Sequence, residues 1–183
     1  RAKNLPNVRE IANKCEKFIH GNPSGIDVNQ VLSDTPLLFS KKDGASELNF
    51  NLNNYLLIID TGVVGITKET LKHIEDNYVE YEKYITELGE ITDSVIEPLK
   101  NKNIDLVGQY MYKAHDLLRK LGVSHASNDE VVEICKNNNA IGAKLTGGGA
   151  GGCCISLSKT KENALEIQNA LKEKGYSSWI VTV

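Results

Sequence analysis

The chain has 183 residues, 40% of them hydrophobic and 25% charged, and a formal net charge of −3. This is enough for one domain, or for one domain and part of another, around a core of ordinary size. The charge gives no electrostatic case for nucleic acid or an anionic membrane as a partner, and no apolar run is long enough to span a bilayer, so any anion site must be built locally. Arg1-Ala2-Lys3-Asn4 lacks the apolar core of a signal peptide, and a cytoplasmic protein is expected. A start without methionine is what an excised piece of a longer chain would show. Cys15, Cys135, Cys153 and Cys154 lie among apolar residues without Cys-x-x-Cys spacing and read as reduced core residues.

Asn7-Val8-Arg9-Glu10 has the form of a capping box, and Val8, Ile11, Ala12, Cys15 and Ile19 follow at helical spacing, so a helix is expected to about His20. His20-Gly21-Asn22-Pro23-Ser24-Gly25-Ile26-Asp27 is a constrained loop opening a second helix, with Asp27 in its first turn. Taken singly, Asp27 reads as a helix cap, Glu16 as a solvated charge on the first helix and His20 as a helix-end histidine.

Leu37-Leu38-Phe39 and the alternating Leu48, Phe50 and Leu52 predict two strands around the turn Lys41-Lys42-Asp43-Gly44. Tyr55-Leu56-Leu57-Ile58-Ile59-Asp60 is a continuous apolar run and therefore a central strand. A domain boundary between Asn51 and Asn54 divides 1–51 from 52–183. Thr67 can cap a long helix with a stripe of Leu71, Ile74, Tyr78, Tyr81, Ile85, Leu88 and Val95, which Pro98 would end. Ile104, Val107, Met111, Ala114, Leu118 and Leu121 repeat the spacing, so an antiparallel helical pair is expected. Gly122 closes that helix, and Ser127-Asn128-Asp129-Glu130 reads as a capping box.

Strands are expected at Ile141–Leu145 and Cys153–Leu157, a helix at Lys161–Lys174 and a last strand at Ser177–Val183. From Tyr55 the order is strand, helices, strand, strand, helix, strand. This is an α+β class, ferredoxin-like split β-α-β arrangement.

Between the two middle strands lies Lys144-Leu145-Thr146-Gly147-Gly148-Gly149-Ala150-Gly151-Gly152-Cys153, with five glycines broken by one alanine. Such a stretch offers backbone N–H groups that can approach an oxyanion without steric interference. A dinucleotide fingerprint would be followed by a helix, whereas Cys153 onward reads as a strand; a Walker loop would end in Gly-Lys-Ser/Thr; the protein-kinase signatures are absent. An anion cradle and a flexible hairpin without a ligand both remain open.

Four stretches in this order resemble mevalonate kinases, within the GHMP small-molecule kinases: His20 to Asp27; Thr61-Gly62 with Thr67-Lys68; Leu121-Gly122-Val123-Ser124-His125-Ala126-Ser127; and Lys144 to Cys153. The resemblance implies ATP-dependent phosphorylation of the mevalonate 5-hydroxyl, on the way to isoprenoids and sterols. It implies Asp27 as the catalytic carboxylate facing that hydroxyl and Glu16 as a ligand of Mg²⁺. It also implies His20 and Thr67 near mevalonate, and Gly147, Gly148, Gly149, Ala150 and Gly151 at the phosphates of ATP. The family's N-terminal substrate lysine and its Pro-x-x-x-Gly-Leu-Gly-Ser-Ser loop are absent from this sequence. The chain therefore reads as the tail of an N-terminal kinase domain followed by a GHMP kinase C-terminal domain, inactive or poorly active without the missing N-terminal half. Apolar faces around Val8, Ile11 and Phe18 would then be bare, and either association of copies, as in a homodimer, or partial disorder before residue 51 would follow. Another GHMP kinase, acting on phosphomevalonate or a sugar, and a non-catalytic GHMP-like binding module are the alternatives.

Overall fold

The structure, a computed structural model, describes residues 7–20, 24–65 and 67–183, with the side chains of Ile19, His20, Thr67 and Lys68 outside that description. The chain divides into two compact units, Arg1–Phe50 and Asn51–Val183.

The first unit holds helices α1 (Val8–His20) and α2 (Ile26–Leu32) and a hairpin of β1 (Leu37–Ser40) and β2 (Gly44–Glu47). Two short helices and a two-stranded ribbon enclose little, and Val28 is the one buried residue of this unit among those described. Ile11 is 58% exposed, Val31 68% and Phe18 92%. Cys15, expected in a core, is exposed for the same reason. The second strand lies earlier than the alternation of Leu48, Phe50 and Leu52 suggests. Ser40 Oγ accepts from Asp43 N–H at 2.8 Å and donates to the Asp43 carboxylate, which tightens the turn at once and pairs Ser40 with Gly44.

In the second unit β3 (Tyr55–Asp60), β4 (Gly142–Thr146), β5 (Cys153–Ser158) and β6 (Ser177–Thr182) form one antiparallel sheet in the order β4-β5-β3-β6. The apolar run of β3 is central as expected: Ile58 stands between Ile155 on β5 and Trp179 on β6. Leu57, Ile59, Ala143, Leu145 and Cys154 share the face covered by α7 (Ala126–Asn137) and α8 (Lys161–Glu173), where Val131, Cys135, Ile167 and Leu171 are 0% exposed. Each buried valine, leucine or isoleucine here contributes about 1.5–3 kcal/mol in removing apolar surface from water.

The long helix expected from Thr67 to Pro98 is three: α3 (Thr67–Asp76), α4 (Tyr78–Ser94) and α5 (Ile96–Lys100). The first break falls at Asn77, whose Nδ2 donates to His73 O at 2.8 Å while its own carbonyl accepts from Glu80 and Tyr81 N–H. An amide side chain here competes with the helical ladder. Leu71 and Tyr78, on the stripe read as core, are 57% and 51% exposed. Pro98 does not end the helix. It is the third residue of α5, where a missing N–H costs no ladder bond.

α6 (Ile104–Lys120) returns to pack on α4 through Ile91, Ala114 and Leu117, as the repeated spacing predicts. It also lies against β4. A Cβ on Gly108 would stand 2.2 Å from Ile141 O, and one on Gly142 2.5 Å from Gly108 Cα, so the helix reaches the strand only because both residues lack side chains.

Candidate functional site

In the first unit, α1 and α2 are joined by the Arg9 guanidinium, whose Nη1 donates to Asn29 Oδ1, and Asn29 Nδ2 donates to Gly25 O at 2.8 Å. Between the helices is a mostly apolar pocket of ≈ 310 Å³, lined by Val8, Ala12, Val28 and Val31, with Glu16 and Asp27 in its wall. The fold thus brings two of the sequence-derived carboxylates to one pocket. The side chain of His20 and residues 21–23 of the loop before Asp27 lie outside the described residues, as does the side chain of Thr67 at the start of α3. Among the described residues no three His, Cys, Asp or Glu side chains gather as a metal cluster.

In the second unit the glycine loop joins β4 to β5 in a conformation that demands glycine. φ is +80° at Gly147, +77° at Gly149, +118° at Gly151 and +64° at Gly152, and Ala150 is also left-handed at +57°. Three of its N–H groups are already engaged. Ala150 N–H donates to Val123 O at 2.7 Å, Gly151 N–H to Asn128 Oδ1 at 3.0 Å and Gly152 N–H to Val63 O at 2.7 Å. Those of Gly147, Gly148 and Gly149 have no acceptor among the described residues, and Gly147 and Gly148 are exposed. The exposed donors available to an anion are therefore those of Gly147 and Gly148, whereas Gly149 is buried and Ala150 and Gly151 serve the loop's own shape.

Neighbours hold that shape. Thr61 N–H and Oγ1 both donate to Gly152 O, at 3.0 and 2.7 Å. A Cβ on Gly65 would meet Gly149 O at 2.3 Å, and one on Gly151 would meet Val63 O at 2.6 Å, so the segment after β3 lies directly against the loop.

Asn128 was legible only as a capping residue, and the structure gives it a second task. The N-cap of α7 is His125, two residues before the Ser127 expected there, and Asn128 Oδ1 closes the box by accepting from His125 N–H at 3.1 Å. The same side chain, fully buried, donates through Nδ2 to Gly151 O at 2.9 Å and to Cys154 Sγ at 3.4 Å. One amide therefore fixes both polar groups of Gly151. The available signal was its place on the face of Val131, Val132 and Cys135, at i, i+3, i+4 and i+7, where an amide needs a partner. Asn128→Leu leaves Gly151 N–H and O unpaired and is expected to cost about 1–3 kcal/mol in urea unfolding, with faster amide exchange at Gly151.

His115 on α6 belongs to no sequence motif, yet it bridges two elements. Its Nδ1 accepts from Leu145 N–H on the free edge of β4 at 3.4 Å, and its Nε2 lies 3.2 Å from Asp129 Oδ1. Asp129 in turn accepts from Ser124 Oγ at 2.6 Å and from Arg119 Nε at 3.1 Å. Burial holds the imidazole below its ordinary 6.5, outweighing the upward pull of Asp129 and Asp116, and Arg119 lowers it further. The unfolded chain then binds the proton more readily. The stability owed to neutral His115 is whole above pH 6.5 and is lost as the pH falls below it. Unfolding midpoints at pH 7.5 and 5.5 should differ more for the natural chain than for His115→Gln.

Residues 95–177 match the family described as GHMP kinases C terminal. The chain carries a GHMP kinase C-terminal domain. Mevalonate kinase from Aeropyrum pernix is 32% identical over 157 residues, 83% of this chain and 48% of the relative. Mevalonate kinase from Pyrococcus horikoshii is 30% identical over 177 residues, 92% and 52% of the two chains. The chain thus spans about half the length of these curated relatives. Among solved structures, L. major mevalonate kinase in complex with R-mevalonate aligns with a TM-score of 0.86 and 25% identity, over 98% of this chain and 59% of the other. The mixed helix and sheet fold, with its antiparallel sheet, matches GHMP kinase C-terminal domain structures, and the family match at 95–177 takes in β4, β5 and the loop between them.

Proposed function

We propose that the chain is the C-terminal half of a kinase that transfers the γ-phosphoryl group of ATP to the 5-hydroxyl of mevalonate, supplying precursors for isoprenoids and sterols in the cytoplasm. The observation that carries this reading is the presence of Glu16 and Asp27 in one pocket, in a chain that mevalonate kinases match over most of its length.

In this reading the first unit is the tail of an N-terminal domain, and Asp27 faces the substrate hydroxyl. As the mevalonate oxygen bonds to Pγ, the bond from Pγ to the ADP oxygen breaks, and the hydroxyl proton passes to Asp27 and from there to water. Phosphoryl transfer has a loose transition state, so Asp27 acts chiefly by orienting the alcohol, with no need of a strong base. His20 and Thr67 contact mevalonate. The exposed N–H groups of Gly147 and Gly148 offer donors to phosphate oxygens, while Asn128, Thr61 and Val123 hold the loop that presents them.

The residues present fit Mg²⁺. The ion takes one or two protein carboxylates and fills its remaining positions with water and phosphate oxygens, and Glu16 and Asp27 supply that number in one pocket. Glu16 would hold it, and the bound ion would neutralise phosphate charge.

The test is a substrate panel on the full-length protein with ATP. Mevalonate should be converted to a single product carrying phosphate on the C5 oxygen, read by phosphorus and carbon NMR. Streptococcus pneumoniae phosphomevalonate kinase shares the fold with a TM-score of 0.82 at 16% identity, so phosphomevalonate belongs in the panel with a sugar. Preference for either over mevalonate would overturn the assignment.

A further inference from the structure

A second cavity lies within the second unit. Its volume is ≈ 350 Å³, and it is an open cleft lined by α4, by Val95 just after it, by α6 and by the free edge of β4. Ile91, Val107, Met111 and Leu118 give it apolar walls, and Lys144 and Gly147 stand on the β4 side. This is the size of a small-molecule site.

Lys144 has an unusual environment for a cation. Its Nζ donates to Leu145 O at 2.7 Å, and among the described residues it has no carboxylate partner. Burial lowers its pKa. A carbonyl offers only a partial charge to an ammonium that has lost much of its water, so an incoming anion would restore what burial removed. Leu145 itself gains nothing further from a ligand, because its N–H is held by His115 and its carbonyl by Lys144.

We propose that this cavity binds a single-tailed organic anion, with the tail among the helices and the head on the Lys144 ammonium. At the ~30 Å³ of a water-sized group, the volume suits a head and a tail of about eight carbons. A carboxylate and a phosphate monoester share this chemistry. The inference stands on the cavity alone and does not depend on the kinase reading, since binding is measured without ATP or mevalonate.

Met111 lines the cavity and is the only methionine in these 183 residues, so its methyl group is a local reporter. In the full-length protein labelled at methionine methyls, its resonance is assigned through Met111→Leu. Titration with octanoate, octyl phosphate and octanol should shift it saturably. Either anion should bind at least tenfold more tightly than octanol, and the stronger of the two identifies the head. Octanoate should exceed hexanoate by about tenfold, as two buried methylenes require. Lys144→Met should abolish the preference for the anions and leave octanol binding in place. The proposal is overturned if the Met111 resonance does not move, if octanol binds as well as both anions, or if the preference survives Lys144→Met. Should that variant fail to fold, the head-group and chain-length comparisons on the natural protein decide by themselves.

Discussion

Asp27→Asn in the full-length protein should lower kcat for mevalonate phosphorylation by roughly 10²-fold or more while changing KM little. Asn keeps the size and one acceptor oxygen but cannot take the hydroxyl proton, and it removes the charge that orients the alcohol. Asp27 is exposed in the first turn of α2, outside the packed core, so the fold should survive the change. Thermal unfolding should move little. A fall in kcat accompanied by a large loss of stability would assign Asp27 the capping role that its sequence position alone suggests. An unchanged kcat would remove it from the chemistry.

Gly149→Ala and Gly147→Ala form the second strong prediction, because they start from nearly the same backbone. φ is +77° at Gly149 and +80° at Gly147, so each alanine takes on left-handed strain of about 1–2 kcal/mol. What differs is the space. A Cβ at Gly147 meets nothing within 4 Å, whereas one at Gly149 would stand 2.3 Å from Val123 O. That carbonyl accepts from Ala150 N–H, so displacing it also strains the bond that shapes the loop. Gly147→Ala should therefore cost only the strain, and Gly149→Ala should cost about 3 kcal/mol or more in urea unfolding. Equal costs would mean that the loop does not rest on Val123.

Much of this was legible in the residues. The apolar run Tyr55–Asp60 could only be a central strand, and the glycine stop at Gly175 with alternation after it marked the last strand, so the ferredoxin-like order followed. The periodicity from Thr67 to Val95 concealed two breaks, because an apolar stripe does not register Asn77 diverting a carbonyl or Pro98 entering a new first turn. The close approach of α6 to β4 depends on Gly108 and Gly142, which lie far apart in sequence and carry no side chain to signal it.

The site was legible in part. Glu16 and Asp27 could be named from motifs, whereas their shared pocket follows from the way α1 and α2 are tied by Arg9 and Asn29. The glycine run suggested a cradle without showing which N–H groups are spent internally. That depends on Val123, Asn128 and Val63, three residues from segments remote in the chain. Asn128 reads locally as a capping residue and His115 as an ordinary helix residue, whereas the importance of each lies in its bonds to another element.

Steady-state turnover of mevalonate and ATP, compared between the full-length protein and the 183-residue chain alone, tests the central claim most directly. The full-length protein should turn over at about 1 s⁻¹ or faster and the 183-residue chain far below that, since the account leaves part of the nucleotide site in the other half. Turnover of about 1 s⁻¹ by the 183-residue chain alone, or none with mevalonate by the full-length protein, would contradict it.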